Sequence, residues 1–88
     1  MKKVEIYTSE PCPFCIRAKN LLNKKGVEYI ELRVDQNPEY AEASIQRSGG
    51  MTSVPQIFIE DYHVGGSDEL YALEREKKLD ALLEGENP

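Results

Sequence analysis

The amino-acid sequence predicts an α/β domain with the element order β-α-β-α-β-β-α. Three observations carry that reading. Short apolar or alternating runs such as "KVEIYT", "VEYIELRV" and "PQIFI" have the length and residue types of strands. The segments between them place apolar residues at helical spacing. Gly and Pro fall where one pattern gives way to the next. The chain has 88 residues, enough for one small domain over 1–88 with a single modest core.

The first strand is expected over about Val4 to Thr8. In "PFCIRAKNLLNKKG", Cys15, Ala18, Leu21 and Leu22 fall on one helical face, and Pro13 suits the first turn. Lys24 and Lys25 complement the helix dipole at the far end, and Gly26 suits the cap. "VEYIELRV" is the second strand, with Val27, Tyr29, Ile30, Leu32 and Val34 as its apolar members. A βαβ unit of this kind is right-handed, with its two strands parallel. "DQNPEYAEASIQRSGG" carries a second helix from about Pro38 and closes on Gly49 and Gly50. "VPQIFIEDYHVGG" reads as a hairpin, with strands at Gln56 to Ile59 and Tyr62 to Val64 around a turn at Glu60 and Asp61. Ser67 is the expected N-cap of one last helix, whose apolar face is Leu70, Leu73, Leu79, Leu82 and Leu83. The tail "EGENP" is expected to fray.

Composition limits the function. There are 16 acidic and 11 basic side chains, for a net charge of -5, and no basic stripe or basic helix. Such a surface repels phosphate backbones, so nucleic-acid binding is not expected. No apolar run approaches the ~20 residues that span a bilayer. The start "MKKVEIYTSEPC" lacks the apolar core and cleavage site of a signal peptide, which favours a cytoplasmic setting without membrane association. The charges in "LEREKKLD" read as a solvated helix face.

The chemistry lies in "SEPCPFC", which holds both cysteines of the chain, Cys12 and Cys15. A structural staple closing so short a loop removes little entropy from the unfolded chain. A zinc site needs four ligands, and the chain offers two Cys and one His, His63. A reactive dithiol fits the position better. Cys12 sits where a strand gives way to a helix, and Cys15 lies one turn in. Residues three apart on a helix are neighbours, within bridging distance. The unpaired N–H groups and dipole of a helix N-terminus stabilise a thiolate, and Cys12 is placed to feel this most. The more buried Cys15 then resolves what Cys12 forms. A C-x-x-C beside a βαβ pattern in this setting reads as a thioredoxin-like redox motif. His63 is set aside as a strand residue, because exchange needs no base once Cys12 is ionised.

With "VEIYT", "CPFC", "RAKNLL", "RSGG", "SVPQIFI", "HVGGSDEL" and "YALE" in this order, the chain resembles a glutaredoxin of the small bacterial dithiol type over almost its whole length. The resemblance implies a thioredoxin-like fold, a four-stranded mixed sheet flanked by three helices. It implies an enzyme that reduces glutathione mixed disulfides and protein disulfides and is itself reduced by glutathione. Glutathione is then a reducing co-substrate, with no tightly bound cofactor and no metal. The implied partners are glutathione and glutathionylated or disulfide-containing proteins, and nothing demands more than a monomer.

By the same resemblance Cys12 is the nucleophile and Cys15 the resolving thiol. Pro55 is a cis proline that presents Val54 to the cysteinyl part of glutathione. Gly66 allows close backbone approach. Ser67 and Asp68 open a helix and so form an anion site for the γ-glutamyl carboxylate, with the Asp68 side chain on the ammonium. Gln46 matches a position that contacts the glycyl carboxylate. Phe14 stands in place of a tyrosine, Ser53 in place of a threonine, and the loop "GGMTSVP" is one residue longer than the common form. Ser9 replaces a lysine frequent in the family, and Glu10 beside it adds a negative charge. Two other readings stay open. One is a carrier of a glutathione-ligated [2Fe–2S] cluster, which Pro13 and Cys15 argue against. The other is a glutaredoxin-like protein reduced by thioredoxin reductase, which "GGSD" argues against.

Overall fold

The computed structural model describes residues 1–85. Its strands are β1 (Val4–Thr8), β2 (Ile30–Arg33), β3 (Gln56–Ile59) and β4 (Tyr62–Gly65). Its helices are α1 (Pro13–Lys24), α2 (Pro38–Arg47), α3 (Ser67–Arg75) and α4 (Leu79–Glu84). The sheet order is β2-β1-β3-β4. β1 pairs in parallel with β2, and antiparallel with β3, with Ile6 opposite both Glu31 and Ile57. This is the mixed four-stranded sheet of a thioredoxin-like fold.

The core follows from the apolar patterns. Ile6, Leu22, Ile57, Leu70 and Leu79 are fully buried, and Val4, Ala18, Val27, Val64 and Leu83 join them. Burying each large side chain contributes about 1.5–3 kcal/mol. The α1 residues named from helical spacing, Cys15, Ala18, Leu21 and Leu22, are its buried ones. The central strand β1 is buried at four of its five positions, with Thr8 closed off completely. It therefore fixes where the chain emerges at Ser9.

Four differences from the sequence reading have local causes. β2 begins at Ile30 rather than Val27, because the Val27 N–H donates to the Leu22 carbonyl (2.9 Å) in closing α1. A residue used in that cap is withdrawn from the ladder. Ser67 is not the N-cap of α3. Gly66 is, and Glu69 reaches back to accept its N–H at 2.7 Å. The expected three helices are four among the described residues, because the last one breaks after Arg75. Lys77 takes φ +61, its N–H donates to Glu74 (3.1 Å), and the Lys78 N–H donates to Leu73 (2.9 Å). These two bonds are a Schellman motif. The same pair closes α1 at Gly26 and α2 at Gly49. In the tail, Glu84 ends α4 and Gly85 caps it at φ +87, so neither is frayed, and the rest lies outside the described residues.

Polar ties lock the sheet to the helix in front of it. Thr8 Oγ1 donates to the Glu31 carboxylate (2.7 Å), and Lys19 Nζ of α1 joins it at 2.9 Å. Burial pushes the Glu31 carboxyl up, but the Thr8 hydroxyl and the Lys19 charge outweigh it and hold it below its ordinary 4.5.

Two tests follow from this architecture. A lysine at positive φ costs about 1–2 kcal/mol, partly regained by glycine despite its greater chain entropy. Lys77→Gly is expected to raise stability by about 0.5–1 kcal/mol, read as a higher melting temperature. An unchanged or lower midpoint contradicts that account of the break. A depressed carboxyl contributes stability above its unfolded value that is lost as pH falls through the folded one. Urea midpoints of Glu31→Gln are therefore expected to fall less than wild type from pH 6 to pH 3. Parallel curves would count against the tie.

Candidate active site

β1 delivers the chain to the head of α1, and Cys12 is the N-cap there, with extended backbone (φ -150, ψ 95). Its carbonyl accepts the Ile16 N–H (3.1 Å), and its Sγ accepts the Cys15 N–H (3.1 Å). A sulfur thus occupies the place usually taken by a Ser or Asp oxygen. The two sulfurs are joined in a disulfide, with Cα atoms 5.2 Å apart. Cys12 is 8% exposed and Cys15 1%, so the surface this pair presents belongs mainly to Cys12. The first turn of α1 contains no acidic residue. The helix dipole therefore meets no competing carboxylate, and once the bridge opens it favours a negative sulfur at Cys12. Arg33 draws the Glu10 carboxylate aside (3.2 Å) and also pairs with Asp35.

The Cys12 sulfur lies 3.9 Å from the Val54 carbonyl oxygen. A disulfide sulfur carries no hydrogen, so this is proximity and not a bond. Both Val54–Pro55 and Glu10–Pro11 peptide bonds are cis; the second had no counterpart in the sequence reading. A groove of about 170 Å³ runs from there to the head of α3. Phe14, Ser53, Val54, Pro55, Gly66, Ser67 and Asp68 all line it, as the sequence reading grouped them. Gln46 does not. It lies on α2, with its amide donating to Glu42 one turn back (3.3 Å).

At the head of α3 the N–H groups of Ser67 and Asp68 have no partner within the helix. The Ser67 hydroxyl is buried without a hydrogen-bond partner among the described residues. Asp68 is largely exposed, with Arg17 4.0 Å away. Gly65 has φ +112, and a Cβ there would stand 3.0 Å from Glu69 Oε1. A Cβ on Gly66 would crowd the same oxygen at 3.2 Å and would meet the Pro55 carbonyl at an ordinary contact distance of 3.5 Å. The two glycines thus let the Glu69 side chain fold back over the Gly66 N–H.

Sequence reasoning missed several members of this region. Glu69 lines the groove, and its signal was present: an acid three residues beyond an N-cap. Met51, half exposed, and the buried Gln56 also line it, and neither residue type announces a site. A second hollow, of about 430 Å³, is lined by both cysteines together with Glu10, Pro11, Ile16 and Lys19, whereas the groove lies beside Cys12 without including it. A larger one, about 890 Å³, lies against Lys2, Lys3 and Val27 at the opposite end of β1. It holds no nucleophile, so its size carries less weight than the position of the sulfurs. Among the described residues no three His, Cys, Asp or Glu side chains gather as a metal-binding set, and no helix is long and apolar enough to cross a membrane.

Comparison with known proteins agrees with this geometry. The glutaredoxin family model matches residues 4–64. Over 83 residues the chain is 55% identical to glutaredoxin 3 of Escherichia coli K12, covering 94% of this chain and 99% of that one. It is equally 55% identical to a glutaredoxin of Pseudomonas aeruginosa, covering 94% and 98%. The solution structure of glutaredoxin from Brucella melitensis superposes with a TM-score of 0.81 at 52% identity, covering 94% and 89%. A crystal structure of a buckwheat glutaredoxin–glutathione complex superposes at 0.84 with 27% identity, covering 94% and 77%. With its redox-active Cys12–Cys15 pair at the head of α1, the chain belongs to the glutaredoxin family of thiol-disulfide oxidoreductases.

Proposed function

We propose that this protein reduces glutathione mixed disulfides and protein disulfides, with glutathione as the reducing co-substrate, in the cytoplasm. The observation that carries this reading is the Cys12 sulfur at the N-cap of α1, 3.9 Å from Val54, beside a groove ending at the head of α3. A relative solved with glutathione supports the choice of ligand.

In the mixed-disulfide reaction, the Cys12 thiolate attacks the glutathione sulfur and breaks its bond to the substrate sulfur. The substrate leaves as a thiolate and takes a proton from water. A second glutathione thiolate attacks the Cys12-bound glutathione, giving glutathione disulfide and restoring the Cys12 thiolate. With a protein disulfide, Cys12 attacks one sulfur and forms a mixed disulfide with the substrate. Cys15 then attacks the Cys12 sulfur, releasing the reduced substrate and leaving the Cys12–Cys15 bridge. Two glutathiones reduce that bridge. The buried position of Cys15 suits a thiol that acts only within the site.

In this reading the groove holds glutathione by three features. The Val54 backbone, turned by Pro55, pairs with the cysteinyl amide. The Ser67 and Asp68 N–H groups take the γ-glutamyl carboxylate, and Gly66 allows the approach. The Asp68 carboxylate takes the ammonium and gives up its exposed contact with Arg17, which is worth little. Phe14 and Ser53 wall the cysteinyl part. Gln46, engaged with Glu42, contributes least.

Cys12→Ser is expected to abolish turnover of both substrate classes, whereas Cys15→Ser keeps mixed-disulfide reduction and loses protein-disulfide reduction. A Cys12→Ser protein active with glutathione sinks the assignment. Asp68→Asn is expected to raise KM for a glutathionylated peptide about three- to tenfold with little change in kcat; an unchanged KM removes Asp68 from the set. Regeneration by thioredoxin reductase but not by glutathione with glutathione reductase would reassign the reductant.

A further inference from the structure

His63 reads from the sequence as a plain strand residue, but it heads a chain of hydrogen bonds that ends on the loop in front of Pro55. Gln56, 1% exposed, opens β3. Its Nε2 donates to the Ser53 carbonyl (3.0 Å) and reaches the Ser53 hydroxyl (3.3 Å). A carbonyl only accepts, so the Gln56 atom facing it must be the nitrogen. The Gln56 Oε1 then faces His63 Nε2 at 2.7 Å, and His63 must carry hydrogen on that nitrogen. Nε2 bears hydrogen in the charged imidazole as well, so the chain does not depend on the His63 charge. The imidazole is fixed from the side by stacking on Phe58, its cross-strand partner, at 4.8 Å and 21°. Phe58 is in turn covered by the Arg47 guanidinium (4.0 Å), which also bonds Tyr7 and Glu5.

The loop needs such a hold. Neither Ser53 nor Val54 enters a turn or loop backbone hydrogen bond among the described residues. We propose that His63 is a positioning residue: by orienting the Gln56 amide it pins Ser53, and so sets where Val54 stands beside Cys12. This rests on the reading that the Val54 backbone contacts glutathione. Without the His63 donor, Gln56 Oε1 is buried and unpaired, and the amide loses the constraint that aims Nε2 at Ser53.

The test uses two variants of the full chain. His63→Phe keeps a ring on Phe58 and removes the donor; His63→Gln places an amide N–H close to the lost Nε2. With a glutathionylated peptide, His63→Phe is expected to raise KM about three- to tenfold, with kcat within about twofold of wild type. His63→Gln is expected to bring KM back to within about twofold. By NMR, the Gln56 side-chain amide protons should exchange about tenfold faster in His63→Phe than in wild type or His63→Gln. A wild-type KM in His63→Phe overturns the proposal, whatever the exchange rate, as does an equal KM loss in both variants. If the wild type itself fails to turn over the peptide, the glutathione reading falls. Gln56 exchange then decides the relay by itself: an unchanged rate in His63→Phe overturns it, and a faster one sustains it.

Discussion

The hydrogen bond from the Cys15 N–H to the Cys12 sulfur is the point on which this molecule is organised. It requires a strand that ends where a helix begins, with the sulfur at the cap and no side-chain oxygen competing. The buried strand β1 supplies the first condition, since its pairing on both edges leaves no freedom in where Ser9 emerges. The sequence supplies the second: Pro13 has no N–H to spend, and no acid follows in the first turn. Helix ends ordinarily satisfy such N–H groups with an oxygen cap. Placing a sulfur there turns a structural requirement into a source of reactivity, because the donors that cap the helix also stabilise the thiolate.

The unequal roles of the two cysteines follow from the same geometry. One sulfur belongs to the cap and lies beside the Val54 carbonyl; the other belongs to the more deeply buried residue of the first turn. The two hollows beside them differ in character. One joins the aromatic ring of Phe14 and the Val54–Pro55 turn to the glycines and carboxylates at the head of α3. The other carries Glu10 and Lys19, both engaged in ion pairs with residues of or near β2. A substrate approaching Cys12 from that side meets charges that are already neutralised.

What could be read from the sequence, and what could not, divides along physical lines. β1, β3 and the buried face of α1 are legible because burial demands apolar residues there, whereas β2, which has no buried residue, begins three residues later than its pattern suggests. The ends of α1 and α2 were legible because glycine marks a left-handed C′ position, at Gly26 and Gly49. The break before α4 uses the same hydrogen bonds with Lys77 in that position, and a lysine inside "LEREKKLD" looks like helix interior. Ser67 reads as a cap because serine commonly is one, but the helix takes Gly66 as its N-cap, and Glu69, three residues beyond that glycine, accepts the Gly66 N–H. The cysteines and the groove residues were legible from motif and order. The His63–Gln56–Ser53 chain was not, because it joins two strands and a loop whose residues are ordinary one by one and meaningful only in register.

The position of α4 shows how a domain with so small a core keeps its outermost piece. Six residues are too few to form a stable helix unaided. Leu79 and Leu83 bury completely or nearly so, which supplies most of the attachment. The Lys2 N–H adds a hydrogen bond to the Leu83 carbonyl (2.7 Å), tying α4 to the segment that leads into β1. Lys25, just past the end of α1, spans Glu74 of α3 and Asp80 of α4, each at 2.8 Å. The bonds to Asp80 and Glu74 raise its pKa against the opposing effect of burial, so the ammonium is held in its charged form. Such a pair at a solvated edge adds little energy alone. Its value is geometric: the same lysine touches the helix that presents Cys12, the helix whose head closes the groove, and the helix that seals the core beneath them.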